Sequence, residues 1–272
     1  MPIRHMLFWA APMNIFVFDI ETVPDTDGGR RVLELGDDLS DSDVANAMFT
    51  VRRDEVGHEF LRLHLQRIVA ISVVMKSADR LKVWSLGSEE SSEKELIERF
   101  FAGIERYTPT IVSWNGGGFD LPVLHYRAML HKITAQRYWE TGESDQSFRW
   151  NNYQSRYHAR HTDLMDVLAS FSPRANVPLD QMASLLGFPG KMGMSGAKVW
   201  ETFHGGGIKA IRDYCETDVL NTYLVYLRFL LMKGDLLPDG YEAEIDELKT
   251  YLKEQTEPHF HEFLEVWQAA KV

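Results

Sequence analysis

Two acids close to the amino end of the chain have the spacing of a metal-binding pair. Asp19 and Glu21 lie two positions apart at the end of a short apolar run, residues 14–20, that predicts a buried strand. Side chains alternate along a strand, so both carboxylates project together at its carboxyl end. Adjacent carboxylates raise each other's pKa unless a cation lies between them. The pair therefore indicates a divalent-metal site, with two ordinary loop acids as the alternative.

A glycine-rich turn supplies the next candidate acid. Three glycines, residues 116–118, follow a predicted strand and precede Asp120 at the start of a predicted helix. Glycine lets a backbone approach a ligand closely. Asp120 is a candidate metal ligand, and aspartate also caps helix N-termini well, so both roles stay open. Asn115, just before the glycines, is predicted to contact substrate or to cap the turn.

A helix near residue 215 carries the last candidates. Tyr214 and Asp218 are four residues apart, which places them on one face of a helix predicted at 208–232. The apolar residues that follow Asp218 indicate a largely buried helix, and a buried acid needs a partner. The alternative is a core tyrosine and a solvent-facing aspartate.

The elements that position these residues follow an α/β order. Strands are predicted at 14–20, 67–76, 81–86 and 110–114, the second and third forming a hairpin. Helices are predicted at 93–107 and about 121–130, and after residue 170 at about 179–186, 208–232, 240–255 and 259–270. Residues 24–43, with three glycines and six aspartates, are predicted to be loop. The pattern predicts a mixed sheet, a three-strand meander followed by alternating helices and strands.

Three regions are predicted along the chain. Residues 1–13 are an N-terminal extension, residues 14–232 the catalytic domain and residues 233–272 a helical C-terminal appendage. The length of 272 residues suits one compact domain of this kind.

Composition narrows the class of protein. The single cysteine, Cys215, excludes an intramolecular disulfide and a cysteine-rich zinc site, and fits a cytoplasmic location. The net charge of −11 argues against a protein that coats long duplexes electrostatically. A cluster of metal-binding carboxylates adds negative charge itself, so an acidic nucleic-acid enzyme stays compatible with this charge.

Taken together, the three motifs resemble those of the DEDD superfamily of 3′→5′ exonucleases, which have an RNase H-like (DnaQ-like) fold. The likeness is greatest to the exonuclease domain of family-B DNA polymerases. The signatures D-x-E, N-x-x-x-F-D and Y-x-x-x-D occur here in order at residues 19–21, 115–120 and 214–218. The histidine branch has His where Asp213 stands, so Tyr214 indicates the tyrosine branch. The resemblance spans about residues 14–227 and implies a stand-alone, bacterial-type exonuclease.

The resemblance also implies a set of site residues and ligands. Two Mg²⁺ or Mn²⁺ ions are expected, held by Asp19, Glu21, Asp120 and Asp218, with the Tyr214 hydroxyl orienting the attacking water. Thr22, Asn115 and Phe119 are the implied substrate-binding residues, and the backbone amide of Thr22 is expected to hold the terminal 3′-hydroxyl. The implied substrate is the 3′ end of single-stranded DNA or RNA, with DNA favoured, in a replication, repair or RNA-processing assembly.

Two further segments are candidates for substrate binding. Residues 146–162 contain no acid and interleave basic with aromatic residues, as single-strand binding requires. Arg149 and Arg156 are predicted to contact phosphates there, the alternative being a surface hairpin with inward aromatics. Lys191, in a glycine-rich loop, is predicted to reach a phosphate or to be a solvated loop lysine.

A different class of function stays open at this level. A non-catalytic nucleic-acid-binding module, or an accessory proofreading module, could keep this fold without hydrolysing anything. Such proteins usually lose ligands, whereas all four acids and the tyrosine are present here.

Overall fold

The computed structural model describes residues 14–270, so the predicted extension at 1–13 lies outside the described residues. Within that range, five strands form one sheet: β1 (Ile15–Pro24), β2 (Gln66–Ser77), β3 (Arg80–Ser85), β4 (Thr110–Ser113) and β5 (His161–Asp163). The α-helices of the same range are α1 (Thr26–Leu33), α2 (Asp41–Val56), α3 (Glu93–Tyr107), α4 (Asp120–Leu130), α5 (Leu164–Leu168), α6 (Leu179–Leu185), α7 (Val199–His204), α8 (Ile208–Lys233), α9 (Pro238–Glu254) and α10 (Pro258–Ala269).

The sheet order brings the ends of three strands together. The strands run in the order β3-β2-β1-β4-β5, with β1 antiparallel to β2 and parallel to β4, and β4 parallel to β5. The predicted meander and hairpin are confirmed. Because β1, β4 and β5 point the same way, their carboxyl ends share one edge of the sheet, where ligands of α/β proteins usually bind.

Side chains alternate between the two faces of the sheet along β1, and this decides on which face its two acids lie. Phe16, Phe18 and Ile20 are buried in a core with residues of α3 and α4. Val17 is buried on the opposite face, in a core with residues of α8. Asp19 and Glu21 share the parity of Val17, so they lie on the face that α8 covers.

The last two helices belong to the core on that second face. Their buried residues join Val17 and Val74 of the sheet in one cluster: Tyr241, Ile245, Leu248, Leu252, Phe260, Phe263 and Leu264. The division into a domain at 14–232 and an appendage at 233–272 stays a prediction. None of the described helices combines the length and apolar character needed to cross a bilayer.

The prediction of a loop at residues 24–43 is wrong, because α1 and the start of α2 lie there. Asp25 caps α1 by accepting a hydrogen bond from the backbone N–H of Gly28. A Cβ on Gly29 would lie 2.4 Å from Sδ of Met48 in α2. This glycine therefore permits close packing of two helices, a use that composition alone does not distinguish from loop flexibility.

Candidate active site

The first two acids lie near the middle of β1, beside Cys215 of α8. One ligand atom each from Asp19, Glu21 and Cys215 lies within 4.8 Å of the other two. Glu21 is buried, and the pairing of β1 with β2 shifts register immediately after it. Bulges of this kind are frequent beside active sites, where they change the direction of a side chain.

Asp120 reaches the same place from the end of β4. Its Oδ1 accepts a hydrogen bond from the backbone N–H of Ile20, at 3.2 Å, between the two acids of β1. The helix cap of α4 is Phe119, and Asp120 is the first helical residue. The interpretation of Asp120 as an N-cap is therefore wrong, and its carboxylate faces the acids of β1 instead.

The glycine turn that carries Asp120 is held by an acid that the sequence analysis missed. Asp163, at the end of β5, accepts hydrogen bonds at 2.9 Å from the backbone N–H groups of Asn115 and Gly117. Asn115 has a φ of 65°, and its carbonyl accepts from the N–H groups of Gly118 and Phe119. An acid at the end of a third parallel strand is the signal that could have identified Asp163.

Helix α8 brings the remaining pair. The Asp218 charge acts on the Tyr214 hydroxyl, as their spacing of four residues allows. The charges of Glu21 and Asp19 also act on the Tyr214 hydroxyl. The structure thus brings all five predicted catalytic residues together.

Lys191 lies in the same site. It lines a cavity of about 110 Å³ together with Tyr214 and Asp218. Its loop is fixed by the buried Asn221, whose side chain accepts from the N–H of Gly190 at 3.0 Å and donates to the carbonyl of Gly190 at 2.8 Å. Lys191 is itself exposed, and its charge acts on Glu21 and Asp218.

Burial and mutual repulsion dominate the electrostatics of β1. Burial, followed by the charges of Asp120, Glu21 and Asp218, raises the pKa of Asp19 well above its usual value. Burial, then Asp218 and Asp120, likewise raises the pKa of Glu21, and the Lys191 charge opposes this.

The pKa values of the two other acids are raised as well. Burial raises the pKa of Asp120 to about 7, against the hydrogen bonds from its own N–H and that of Ile20. Burial raises the pKa of Asp218 to about 6, and the Tyr214 hydroxyl and Lys191 oppose this rise. Four acids that resist ionisation together form a donor set that a divalent cation suits, since hard oxygen ligands bind Mg²⁺ and Mn²⁺.

The predicted substrate-binding residues around the acids have different surroundings. Thr22 is half-buried, and its hydroxyl donates to Oε1 of Gln66 at 2.9 Å. The ring of Phe119 lies 5.7 Å from that of Phe60, which is 56% exposed. Phe60, which the sequence analysis did not identify, thus extends an accessible aromatic surface next to Asp120.

The basic and aromatic segment 146–162 divides into buried and exposed parts. Phe148 and Tyr153 are buried, whereas Trp150 and Tyr157 are 79% and 71% exposed. The hairpin alternative is wrong, because apart from a short 3-10 turn the segment is irregular until β5 begins at residue 161. Its irregular backbone is held by contacts of its own side chains, for instance Asn152 with Phe148.

The basic residues of this segment are divided as well. Arg156 makes a two-pronged ion pair with Asp166, at 2.5 and 3.0 Å. His161 is buried in β5, where burial lowers its pKa to about 4, so it is neutral at pH 7. Arg149 is exposed, with its guanidinium 5.6 Å from the centre of the Trp150 ring. Of the two arginines predicted to bind phosphate, Arg149 has the more open surroundings.

Comparison with known proteins places this geometry in a family. Residues 58–267 match the family described as "Predicted 3'-5' exonuclease related to the exonuclease domain of PolB". The chain belongs to this family. The match includes Asp120, Tyr214 and Asp218. It begins after β1 and so leaves out Asp19 and Glu21, whose place beside the other acids is seen in the structure. The predicted relation to the family-B exonuclease domain is confirmed.

A solved polymerase structure shows the fold. The family B DNA polymerase of the hyperthermophilic archaeon Pyrobaculum calidifontis matches with a TM-score of 0.50 and 20% identity. The match covers 81% of this chain and 25% of the polymerase chain, so this member of the exonuclease family spans about a quarter of that protein. The predicted α/β, RNase H-like fold is confirmed. No curated protein matches the sequence.

Proposed function

We propose that this protein is a metal-dependent 3′→5′ exonuclease of the DEDD superfamily, tyrosine branch, acting on single-stranded nucleic acid. DNA is the favoured substrate and RNA the alternative. The observation that carries the proposal is the convergence of Asp19, Glu21, Asp120 and Asp218 with Tyr214, from β1, α4 and α8, at one edge of the sheet. Family membership supports the same reaction and polarity.

The four carboxylates are the residues that would hold the metal. Two Mg²⁺ or Mn²⁺ ions bound there would supply Lewis-acid activation of water and neutralise charge on the leaving 3′-oxygen. Asp19 is central to the set, because the charges of the three other acids all act on its carboxylate. Asp163 contributes indirectly, by fixing the turn that carries Asp120.

Tyr214 would position the attacking water rather than take its proton. Burial, followed by the charges of Asp218 and Glu21, raises the pKa of its hydroxyl above the usual value. The phenol therefore stays protonated at neutral pH and acts as a hydrogen-bond donor. The Asp218 carboxylate, on the same face of α8, attracts the hydroxyl proton.

The substrate would lie across the surface beside these acids. Lys191 is placed to pair with a phosphate, because its charge already acts on Glu21 and Asp218. Phe119 and the exposed Phe60 offer rings on which terminal bases can stack. The backbone amide of Thr22, directly after Glu21, would hold the 3′-hydroxyl.

The direct test uses end-labelled single-stranded DNA and RNA of the same sequence, with Mg²⁺ or Mn²⁺. We expect products that shorten from the 3′ end as mononucleotides, no hydrolysis in EDTA, and no hydrolysis of a strand blocked by a 3′-phosphate. Undiminished activity in EDTA contradicts the metal requirement, and digestion of the 3′-blocked strand contradicts the polarity. Binding of the strand without hydrolysis under all conditions would identify a non-catalytic module.

Arg149 is expected to contribute to strand binding more than Arg156. Replacing Arg149 by Ala removes an accessible charge, so the slope of log K against log salt should fall by about 0.7, the value for one phosphate contact on a single strand. Arg156→Ala should change the slope less, because Arg156 is already paired with Asp166. Arg80→Ala, exposed at the start of β3, is the control. An unchanged slope in Arg149→Ala assigns the segment a structural role only.

A further inference from the structure

A buried chain of hydrogen bonds connects α10 with the face of α8 opposite Tyr214 and Asp218. His259 Nε2 lies 2.8 Å from Oε2 of Glu216 in α8. The other carboxylate oxygen of Glu216 accepts a hydrogen bond from the hydroxyl of Ser85 in β3, at 2.6 Å. The His259 and Glu216 side chains are 10% and 12% exposed, so water competes little for these contacts.

The chain continues into the sheet, next to Asp19. Ser72 in β2 is 2.8 Å from Ser85, and it is the register partner of Asp19 on β1. The sulfur of Cys215, the neighbour of Glu216 on α8, lies 3.5 Å from the backbone oxygen of Asp19 and 3.7 Å from Oδ2 of the same residue. Ser72 and Cys215 are fully buried.

The direction of the hydrogen bonds follows from the number of protons. The ionised carboxylate of Glu216 can only accept, so it takes the single hydroxyl proton of Ser85 and an N–H of His259. Ser85 then has no proton left for Ser72, so Ser72 must donate to Ser85. Cys215 has one S–H proton, which is directed at Asp19, so the hydrogen-bonded chain ends at Ser72. The loss of His259 leaves the buried charge of Glu216 with one partner fewer.

Glu216 holds α8 from the side opposite the candidate active site. It is two residues from both Tyr214 and Asp218, which is about 200° of rotation around a helix. His259 also approaches Asp213, with Nδ1 3.5 Å from Oδ1. The helix is therefore fixed on one face by α10 and β3, while its other face carries the candidate catalytic residues.

We propose that His259 is a positioning residue for the metal-binding carboxylates. By fixing Glu216 it sets the distance of α8 from β1, and through Ser85 it restrains Ser72, the strand partner of Asp19. The inference rests on the proposed function for the identity of the acids. It adds that α10 is required to hold the metal-binding carboxylates in position.

The test compares His259→Phe with the wild type by Mn²⁺ affinity, measured by electron paramagnetic resonance without nucleic acid, and by kcat and KM on single-stranded DNA. Loss of a residue that orients metal ligands typically costs about 10–100-fold in affinity or activity. We expect a loss of this size in Mn²⁺ affinity and in kcat, with KM unchanged. His259→Gln keeps an N–H donor and should restore most of both. His261→Phe, exposed and two residues along the same helix, is the control.

A second variant keeps the proposal testable if His259→Phe does not fold. Ser72→Ala removes the last member of the chain, and a smaller loss of Mn²⁺ affinity is expected. Unchanged Mn²⁺ affinity in either folded variant, even with a lower melting temperature, overturns the proposal. A wild type that binds Mn²⁺ but hydrolyses nothing refutes the proposed function while the affinity comparison still decides this inference. A wild type that binds no Mn²⁺ contradicts both.

Discussion

Replacing Asp19 by asparagine is expected to lower kcat by more than about 10³-fold. The loss of a residue that only orients metal ligands already lowers activity by roughly 10–100-fold, and Asp19 is a proposed ligand itself. Asp19 carries the charge on which the three other acids act, so its loss removes the centre of the proposed metal site. Asparagine keeps the shape and one oxygen, and the variant should fold. The measurement is single-turnover hydrolysis of end-labelled DNA at saturating Mg²⁺.

The metal-free Asp19→Asn protein should melt no lower than the metal-free wild type, since one of four mutually repelling charges is gone. Asp246→Asn, an exposed acid on α9, removes the same charge far from these residues and should keep wild-type turnover. Turnover of Asp19→Asn within tenfold of the wild type (about 1.4 kcal/mol in the barrier) excludes Asp19 as a central ligand.

Replacing Tyr214 by phenylalanine should lower kcat by roughly 10–1,000-fold with little change in KM, the effect of losing one positioning group. The ring and its packing remain, and only the hydroxyl that interacts with the Asp218 charge is removed. Affinity for Mn²⁺ should be nearly unchanged, which separates this variant from Asp19→Asn. Steady-state kinetics on single-stranded DNA give both parameters.

Tyr226→Phe is the matched control for this substitution, because Tyr226 is a buried tyrosine on the same helix and belongs to the core. It should keep wild-type kcat. If Tyr214→Phe also turns over at the wild-type rate, Tyr214 is a core aromatic and the water is positioned by another group.

Local periodicity accounts for the part of the site that could be predicted from sequence. Asp19 and Glu21 share a face because strand side chains alternate, and Tyr214 and Asp218 share one because helices turn every 3.6 residues. The same periodicity predicts α3 at residues 93–107, the range observed. These inferences need only neighbours in sequence.

Contacts between distant segments could not be predicted in this way. Asp163 acts on a turn 46 and 48 residues earlier, and no local pattern specifies that pairing. Gly29 of α1 resembles a loop residue in the sequence, whereas in the structure it admits Met48 of α2. In residues 146–162, only tertiary packing determines that Phe148 is buried and Trp150 exposed.

The contact between α10 and α8 bears on when the proposed nuclease site is completed during synthesis of the chain. Residues 258–269 leave the ribosome after α8, by a few seconds at the usual rate of about 5–20 residues per second. Until then Glu216 lacks its partner His259, and the core between the sheet and α8 lacks Phe260 and Phe263. We expect the growing chain to hold its carboxylates loosely over that interval. Full activity of the proposed nuclease is then expected only when the last described helix docks, after the candidate catalytic residues have been made.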